Sequence, residues 1–253
     1  MRLHQRELTE SLSIILPAYN VEDSIEDCVK NARRHMESLG VEDYEIIAVD
    51  DGSKDGTLQR LLKLGSAGNV KVLSNGINIG KGFAVKKALK HVTGNYSIVV
   101  DGDMEIDPKQ IKRCLKALKH YDIVIASKRH VQSHYKAPFI RKFLSVGFNI
   151  LVKILTGLRF GDTQSGLKAF RTNAFKKIMR VVSVKRYAYD VEVLLVAKLL
   201  NVRIAEMPIH IEQNSGFSLR AILQMFIDLL GITYRFRIMK WYQKNLENKV
   251  SQQ

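Results

Sequence analysis

The chain has 253 residues, of which 46% are hydrophobic, so it is long enough to bury the core of one large domain. Its two cysteines fall in predicted helices, which argues against a disulfide framework and favours a reducing compartment. Because the N-terminus is polar and no apolar run reaches about 18 residues, we expect neither a signal peptide nor a membrane-spanning helix.

The positive charge is unevenly distributed along the chain. Residues 1–127 hold 18 Lys and Arg against 18 Asp and Glu, whereas residues 128–253 hold 22 against 7, so the whole excess of +15 lies in the second half. A segregated excess indicates a negatively charged partner, which can be a phosphorylated substrate, an anionic membrane surface or a nucleic acid. The alternative is a surface that is merely basic and soluble.

Strands and helices alternate through the first half of the chain. The patterns predict strands over residues 12–16, 44–49, 70–73, 97–101 and 122–127, and helices over residues 22–39, 82–91 and 108–119, with a further helix ending near residue 64. Pro17 is expected to end the first strand, because proline cannot donate to a central ladder. This alternation predicts an α/β fold with a mostly parallel central sheet, and such sheets bind ligands at the carboxyl ends of their strands.

Two carboxylates one residue apart follow the apolar strand that ends near Val100. Side chains at positions i and i+2 of an extended chain point the same way, so Asp101 and Asp103 would leave the strand together, and Gly102 would let a ligand approach the backbone. Hard carboxylate oxygens suit Mg²⁺ or Mn²⁺ that carries phosphate oxygens. The alternative is an acidic turn before a helix that starts at Asp107-Pro108.

Two other strand ends carry candidate binding residues. Asp50 and Asp51 are adjacent and have no basic neighbour, which favours a ligand role for one of them over two turn-forming acids. The Gly80-Lys81-Gly82 segment could cradle a phosphate at a helix N-terminus, although Lys81 could also be a solvated lysine. Its spacing matches neither the Walker motif nor the dinucleotide-binding motif, which disfavours those two classes of enzyme.

Four segments at these strand ends occur in an informative order. They are Leu16-Pro17-Ala18-Tyr19-Asn20, the run from Val49 to Thr57, Asn78-Ile79-Gly80-Lys81-Gly82 and Val100-Asp101-Gly102-Asp103. Together they resemble glycosyltransferase family 2, the inverting GT-A enzymes. The resemblance implies a GT-A fold, which is a Rossmann-like nucleotide-sugar domain followed by an acceptor-binding half.

The resemblance also implies roles for individual residues. The donor is expected to contact Pro17, Ala18, Tyr19, Val49, Asp51, Lys81, Asp101, Gly102 and Lys128. A Mg²⁺ or Mn²⁺ ion on the diphosphate is expected to be held by Asp101, Asp103 and Glu105.

The second half of the chain narrows the resemblance. Three of its segments are similar to the dolichyl-phosphate glucose and mannose synthase group: Asp122–Arg129, Gly161–Arg171 and Tyr187–Glu192. The similarity implies transfer of a hexose, with inversion, from UDP-glucose or GDP-mannose to a polyprenyl or dolichyl monophosphate. The details lean towards the glucose branch. Lys128 stands where the group often has arginine, and residues 214–220 replace its Gly-x-Ser-Lys element.

A phosphate acceptor sets particular chemical demands. A phosphate monoester is largely ionised at neutral pH, so it needs cations that hold it in line with the sugar more than it needs a strong base. The cations that we expect there are Lys128, Arg129, Lys168 and Arg171, and the residues that we expect to be catalytic are Asp103, Arg129, Arg171 and Asp190.

Asp190 has two open interpretations. It lies in a mostly apolar predicted helix over residues 188–200, where a carboxylate must be paired or functional. It could form an ion pair with Lys185 or Arg186. It could also orient a cation or bind a donor hydroxyl, or act as the base if the acceptor were a sugar hydroxyl.

Two amphipathic segments suggest a membrane surface. Residues 139–156 combine apolar and basic side chains in a way that is typical of an interfacial helix, whereas residues 219–242 could equally pack on the core. We therefore expect a GT-A domain over residues 1–212, with an amphipathic acceptor-side helix within 139–160 and a basic helical extension over 213–253. The expected location is the cytosolic face of a membrane, with peripheral attachment in the cytoplasm.

Two rival functions follow from the same residues. A family 2 enzyme could transfer its sugar to a glycan hydroxyl, and turnover would then need no lipid phosphate. A basic nucleic-acid-binding protein ranks low, because no nucleic-acid-binding module is recognisable in the sequence, and no nucleic acid partner is expected.

Overall fold

The computed structural model describes residues 10–66, 69–101, 109–212 and 219–250. The strands are β1 (Leu12–Ala18), β2 (Tyr44–Asp50), β3 (Val70–Ser74), β4 (Tyr96–Val100), β5 (Ile123–Ser127), β6 (His134–Lys136), β7 (Leu167–Arg171), β8 (Ile204–Pro208) and β9 (His210–Glu212). The helices are α1 (Glu22–Ser38), α2 (Thr57–Gly65), α3 (Lys81–Leu89), α4 (Lys109–Leu118), α5 (Phe139–Thr156), α6 (Thr172–Met179), α7 (Tyr189–Leu199), α8 (Leu219–Thr233) and α9 (Trp241–Val250), with a π-helical turn at Tyr234–Ile238.

Seven strands form the central sheet in the order β3-β2-β1-β4-β7-β5-β8. Every neighbouring pair is parallel except for the two pairs that β7 makes with β4 and β5, so β7 alone runs against the others in this sheet. The predicted α/β fold with a mostly parallel sheet is confirmed. A separate two-stranded parallel sheet joins β6 to β9.

Helices cover both faces of the central sheet, which explains why its strands are apolar throughout rather than alternating. On one face, Ile15 and Ile47 pack with residues of α3, α6, α7 and the C-terminal helices. On the other face, Ile14 and Ile46 pack with residues of α1, α2 and α4. Adjacent residues therefore enter opposite layers of the core, as the period of a strand requires.

The predicted boundaries hold to within two residues for most elements, and one of the differences is informative. β1 continues through Pro17 to Ala18, although we expected Pro17 to end it. Pairing of β1 with β4 stops at Ile15, while pairing with β2 continues to Ala18. Pro17 therefore lies beyond the last ladder bond to β4, where its missing N–H leaves no hydrogen bond unmade.

The C-terminal helices have one face in the core and one in solvent. Leu229, Ile232 and Tyr242 are fully buried against the α7 layer. Leu223 and Ile227, on the same helix as Leu229, are 60% and 51% exposed. The question that the sequence left open for residues 219–242 thus has a two-sided answer, because the segment packs on the core and also presents an apolar outer face.

α5 has the bounds that its amphipathic pattern predicts. It ends at Gly157, whose φ of +70° gives the left-handed turn that closes many helices. Arg237 of the π-helical turn donates to the carbonyls of Ile154 and Leu155, at 2.9 and 2.7 Å, and so satisfies the end of α5. Within the described part of the chain, no helix combines the length and hydropathy needed to cross a membrane.

The burial of α8 generates a stability prediction. We expect Leu229→Ala to lower the free energy of unfolding by about 2–5 kcal/mol, because it opens a cavity in the core. The matched substitution Leu223→Ala, on the outer face of the same helix, should change it by no more than about 0.5 kcal/mol. Urea unfolding of both variants measures the difference, and equal small effects would contradict the packing of α8 on the core.

Candidate active site

A cavity of about 720 Å³ opens at the carboxyl ends of the first strands of the sheet. One side is polar and is formed by the strand ends and the loops that follow them. The other side is formed by α5 and α8 and is mostly apolar, with Arg141, Ser145 and Asn149 of α5 as its polar members. The predicted donor residues on the polar side are Pro17, Ala18, Tyr19, Asp51, Lys81, Asp101 and Lys128, and the cavity is also lined by Arg129 and Asp190.

Two of the predicted site residues lie elsewhere in the fold. The side chain of Val49 is fully buried in the core layer that contains α3, because strand alternation turns it away from the cavity. The expected donor contact of this residue stays a prediction, and only its backbone could make that contact. Arg171 pairs in register with Tyr96 at the start of β4, whereas Asp101 follows the end of β4. Because β7 is antiparallel, Arg171 lies about 13 Å along the strand from the cavity end.

Arg171 has structural partners at that far edge. Its guanidinium donates to the carbonyls of Tyr121 and Lys119 and lies 3.6 Å from Asp122. The prediction that Arg171 is catalytic is therefore wrong. Gly102, Asp103 and Glu105 fall outside the described residues, so their predicted roles stay predictions.

Asp50 and Asp51 both have protein donors. Asp50 is 1% exposed and accepts hydrogen bonds from the backbone of Gly52 and Ser53 and from the Ser74 hydroxyl. Gly52 is required in that turn, because its φ is +73° and a Cβ there would lie 2.3 Å from the carbonyl carbon of Ile77. Asp50 is thus a turn-forming residue behind the site.

The carboxylate of Asp51 organises the loop that leads into α3. It is 3% exposed, and its two oxygens accept four hydrogen bonds, from Asn75 Nδ2 (2.7 Å), Asn78 Nδ2 (3.2 Å), Ile79 N (3.1 Å) and Gly80 N (2.8 Å). Four donors match the accepting capacity of a carboxylate. The loop at 75–80 therefore takes its shape from Asp51, which also lines the cavity.

Four charged side chains of alternating sign meet at the floor of the cavity. Lys168 Nζ lies 2.8 Å from Asp190 Oδ1, and Lys81 Nζ lies 3.9 Å from Asp190 Oδ2. Lys81 Nζ also lies 2.5 Å from Asp101 Oδ1. The partners of Asp190 are therefore these two lysines, and neither Lys185 nor Arg186 forms the ion pair that we had considered.

Lys168 is a buried support and does not line the cavity. Its side chain is 2% exposed, and its ammonium also donates to the carbonyl of Ser165. Burial lowers the pKa of Lys168, while the adjacent charge of Asp190 opposes that shift. The expected contact of Lys168 with an acceptor phosphate is not supported by this position. Lys81, in contrast, has 18% of its side chain exposed and is no freely solvated lysine.

The basic wall of the cavity contains Lys128 and Arg129. Asp162 lies between them, 3.7 Å from Lys128 Nζ and 4.0 Å from Arg129 Nη1. Arg129 also donates to the Gly161 carbonyl at 2.7 Å and to the Ser145 hydroxyl of α5 at 2.9 Å. These bonds hold Arg129 where the strand ends meet α5, so a ligand that enters along α5 passes its guanidinium.

Three further charged residues line the cavity: Arg141 and Asp162, to which sequence reasoning assigned no role, and Arg186, which it considered only as a partner of Asp190. Asp162 lies in a segment that resembles a family motif, and its carboxylate was the available signal. Arg186 donates to Asn78 Oδ1 at 3.3 Å across 108 residues, and no local pattern predicts that contact.

Comparison with known proteins agrees with this geometry. The model of Glycosyl transferase family 2 matches residues 13–179. Dolichyl-phosphate beta-glucosyltransferase of Dictyostelium discoideum is 31% identical over 252 residues, which cover 92% of this chain and 77% of that protein. Dolichyl-phosphate beta-glucosyltransferase of Homo sapiens is 30% identical over 253 residues, which cover 92% of this chain and 78% of that protein.

A solved structure shares the fold. Glucosyl-3-phosphoglycerate synthase of Mycobacterium tuberculosis, determined with Mn²⁺, UDP-glucose and phosphoglyceric acid, superposes with a TM-score of 0.67 at 18% identity. The match covers 89% of this chain and 80% of that one. The predicted GT-A fold is confirmed, as is the resemblance to dolichyl-phosphate sugar synthases. Because the family model matches more than half of the chain, the protein belongs to glycosyltransferase family 2.

Proposed function

We propose that this enzyme transfers glucose, with inversion, from UDP-glucose to dolichyl monophosphate or a related polyprenyl monophosphate. The observation that carries the proposal is the division of the cavity into a polar side at the strand ends and an apolar side formed by α5 and α8. A nucleotide sugar is polar throughout, whereas a lipid phosphate joins one charged group to an apolar chain. The glucosyltransferase names of the relatives support glucose over mannose.

The donor would occupy the polar side. Pro17, Ala18 and Tyr19 at the end of β1 offer a backbone and ring surface for the nucleoside, and Tyr19 is 40% exposed. Lys81 lies at the start of α3, where a cation and a helix N-terminus together favour phosphate oxygens.

A divalent metal fits the carboxylate end of β4. Asp101 lines the cavity with 30% of its side chain exposed, and its carboxylate faces the ammonium of Lys81, which supports a site for positive charge at this strand end. We propose that Asp101 holds Mg²⁺ or Mn²⁺ together with Asp103 and Glu105, which lie outside the described residues. When bound, such an ion neutralises the charge of a leaving diphosphate. The Mycobacterium tuberculosis structure was determined in complex with both Mn²⁺ and UDP-glucose.

The acceptor would enter between the basic wall and the apolar wall. Arg129 presents its guanidinium at the junction, and guanidinium groups suit phosphate oxygens. Phe143 and Phe148 of α5 and Phe226 of α8 line the adjoining apolar side, where the first isoprene units of the lipid would lie. A sugar hydroxyl acceptor would instead require a base, and Asp190 Oδ1 is already engaged with Lys168.

The outer face of α5 suggests how the enzyme reaches a lipid substrate. Phe139, Ile140 and Ile154 are 81%, 73% and 64% exposed, on a helix that also carries the exposed basic residues Lys142 and Lys153. Exposed apolar residues beside basic ones are typical of a helix that lies on an anionic membrane surface. We propose that this face binds the cytosolic leaflet, which agrees with the two free cysteines, Cys28 and Cys114.

The proposed reaction is tested by the release of nucleoside diphosphate from UDP-glucose and from GDP-mannose, with Mn²⁺ or Mg²⁺ present. We expect UDP release that requires dolichyl phosphate, and we expect Asp101→Asn to reduce it by about 100-fold, because charge stabilisation in the transition state is lost. Arg171→Gln, at the far edge of the sheet, is the matched control and should retain activity. Turnover without lipid phosphate would contradict the proposal.

The buried ion pair at the cavity floor can be tested by unfolding. We expect Lys168→Met to lower the free energy of unfolding by about 3–5 kcal/mol, because Asp190 remains buried beside a lost partner. The double variant Lys168→Met/Asp190→Asn should recover part of that loss. Arg203→Met, which removes the exposed pair with Asp122, is the control and should have little effect. If Lys168→Met and Arg203→Met lowered the free energy of unfolding equally, the buried pairing would be contradicted.

Membrane attachment is tested by sedimentation with vesicles of phosphatidylcholine and phosphatidylserine. We expect Ile154→Asp to weaken binding by about tenfold or more, because one exposed isoleucine contributes about 1.5–3 kcal/mol when it enters an apolar phase. Leu62→Asp is the control, since Leu62 is 57% exposed on α2, which packs on the opposite face of the sheet. Unchanged binding of the Ile154 variant would exclude α5 as the attachment site.

A further inference from the structure

A second buried carboxylate lies outside the cavity, on the same helix as Asp190. Glu192 is 0% exposed, and it follows Asp190 by two residues, so the two side chains leave α7 about 200° apart. Asp190 faces the active-site lysines, and Glu192 faces the interior behind them. One turn of α7 therefore carries an active-site carboxylate on one side and an internal carboxylate on the other.

Glu192 receives donors from two separate parts of the chain. The loop before α7 contributes the backbone N–H of Ser183 at 2.9 Å, the Ser183 hydroxyl at 2.9 Å and the N–H of Val184 at 2.6 Å. The C-terminal helices contribute the hydroxyl of Tyr242 at 2.5 Å and the guanidinium of Arg235 at 3.5 Å. Loss of these donors would leave a buried carboxylate partly unpaired, which is costly.

Tyr242 is held as a neutral donor in this network. Arg235 Nε donates to the Tyr242 hydroxyl at 3.2 Å, and that hydroxyl donates to Glu192. Burial first, and then the negative charge of Glu192, raises the pKa of Tyr242 well above its ordinary value. The phenol therefore keeps its proton, and its ability to donate to Glu192, over the whole physiological range.

The same loop before α7, residues 182–186, is hydrogen-bonded to α3. Phe83 N donates to the Lys185 carbonyl at 3.1 Å, and Lys86 Nζ donates to the Val182 carbonyl at 2.8 Å. Gly80 has a φ of +128°, and a Cβ there would lie 2.5 Å from the Lys185 carbonyl oxygen. α3 and its N-terminal glycine are thus in direct contact with the loop at 182–186 at Gly80, Phe83 and Lys86.

Lys81 lies between Gly80 and Phe83, the two residues at the start of α3 that contact Lys185. Its ammonium reaches Asp101 and Asp190 across the cavity floor. A shift of the loop at 182–186 would therefore shift Lys81 relative to both carboxylates. A displacement of about 1 Å in an active site can cost about 100-fold in rate.

We propose that Glu192 is a positioning residue, which couples the C-terminal helices to Lys81 through the loop at 182–186. The C-terminal segment then does more than add apolar surface, because Tyr242 and Arg235 fix the loop that holds the first turn of α3. The kinetic part of this inference rests on the proposed function, whereas its structural part does not. The coupling to Lys81 is what would distinguish Glu192 from a carboxylate that only stabilises the fold.

The structural part is tested by hydrogen exchange of the full-length chain without substrate. We expect Glu192→Gln and Tyr242→Phe to speed exchange by about tenfold at Phe83 and Val184 together. Glu45→Gln is the matched control, because Glu45 bonds Ser13 and Thr93 at the opposite end of the sheet. Faster exchange in the loop without any change in α3, or equal changes in the control, would overturn the coupling. Tyr242→Phe keeps the test decisive if Glu192→Gln does not fold.

The kinetic part is tested with the donor and acceptor that support turnover. We expect Glu192→Gln to lower kcat by about tenfold, with less than a threefold change in KM, and Tyr242→Phe to act in the same direction. The double variant should be no slower than Glu192→Gln alone, because both act through one network. Unchanged kcat in folded variants would overturn the positioning role. An enzyme inactive with every lipid phosphate would refute the proposed function, while the exchange result would still decide the coupling.

Discussion

The ion pair between Lys168 and Asp190 is the contact on which the arrangement of the site depends. Desolvation of two charges is costly, so the pair persists only because each partner is held by a rigid element, β7 for the lysine and α7 for the aspartate. Asp190 in turn engages Lys81, and Lys81 engages Asp101 at the end of β4. The ends of β4 and β7 and the first turns of α3 and α7 thus each contribute one charged side chain to a single cluster of alternating charges.

Much of the fold and part of the site could be predicted from the sequence, because the signals were local. Apolar runs followed by acids or glycines mark strand ends, and a parallel sheet brings such ends to one edge, which is why Asp51, Lys81 and Asp101 were found together. Arg171 was misplaced because the direction of β7 is a property of the whole sheet. The pairing of Lys168 with Asp190 joins residues from separate elements, and no periodicity encodes it.

The amphipathic patterns in the sequence did not specify what each apolar helix face contacts. An apolar stripe states that a helix face avoids water, but it does not distinguish a core from a lipid or from a ligand. α8 uses its residues in more than one way: Leu229 enters the core, Phe226 lines the cavity, and Leu223 lines the cavity while remaining largely exposed. Through Leu229 and Phe226, α8 connects the core to the acceptor side of the cavity. A sequence pattern that assigns the whole segment either to the core or to a membrane does not predict this double role.

The excess of positive charge in the second half of the chain is a property of composition, and it does not show where each charged side chain lies. Arg129, Arg171 and Arg237 each donate to main-chain carbonyls, so much of their charge serves loops and helix ends. Lys168 is buried under the cavity, and Lys128 shares Asp162 with Arg129. An ionised phosphate needs only a few well-aimed donors in a site of low dielectric. The chain can therefore serve a phosphate acceptor through one guanidinium at the junction of its polar and apolar walls, while Arg171, Arg237 and Lys168 stabilise a loop, a helix end and the cavity floor.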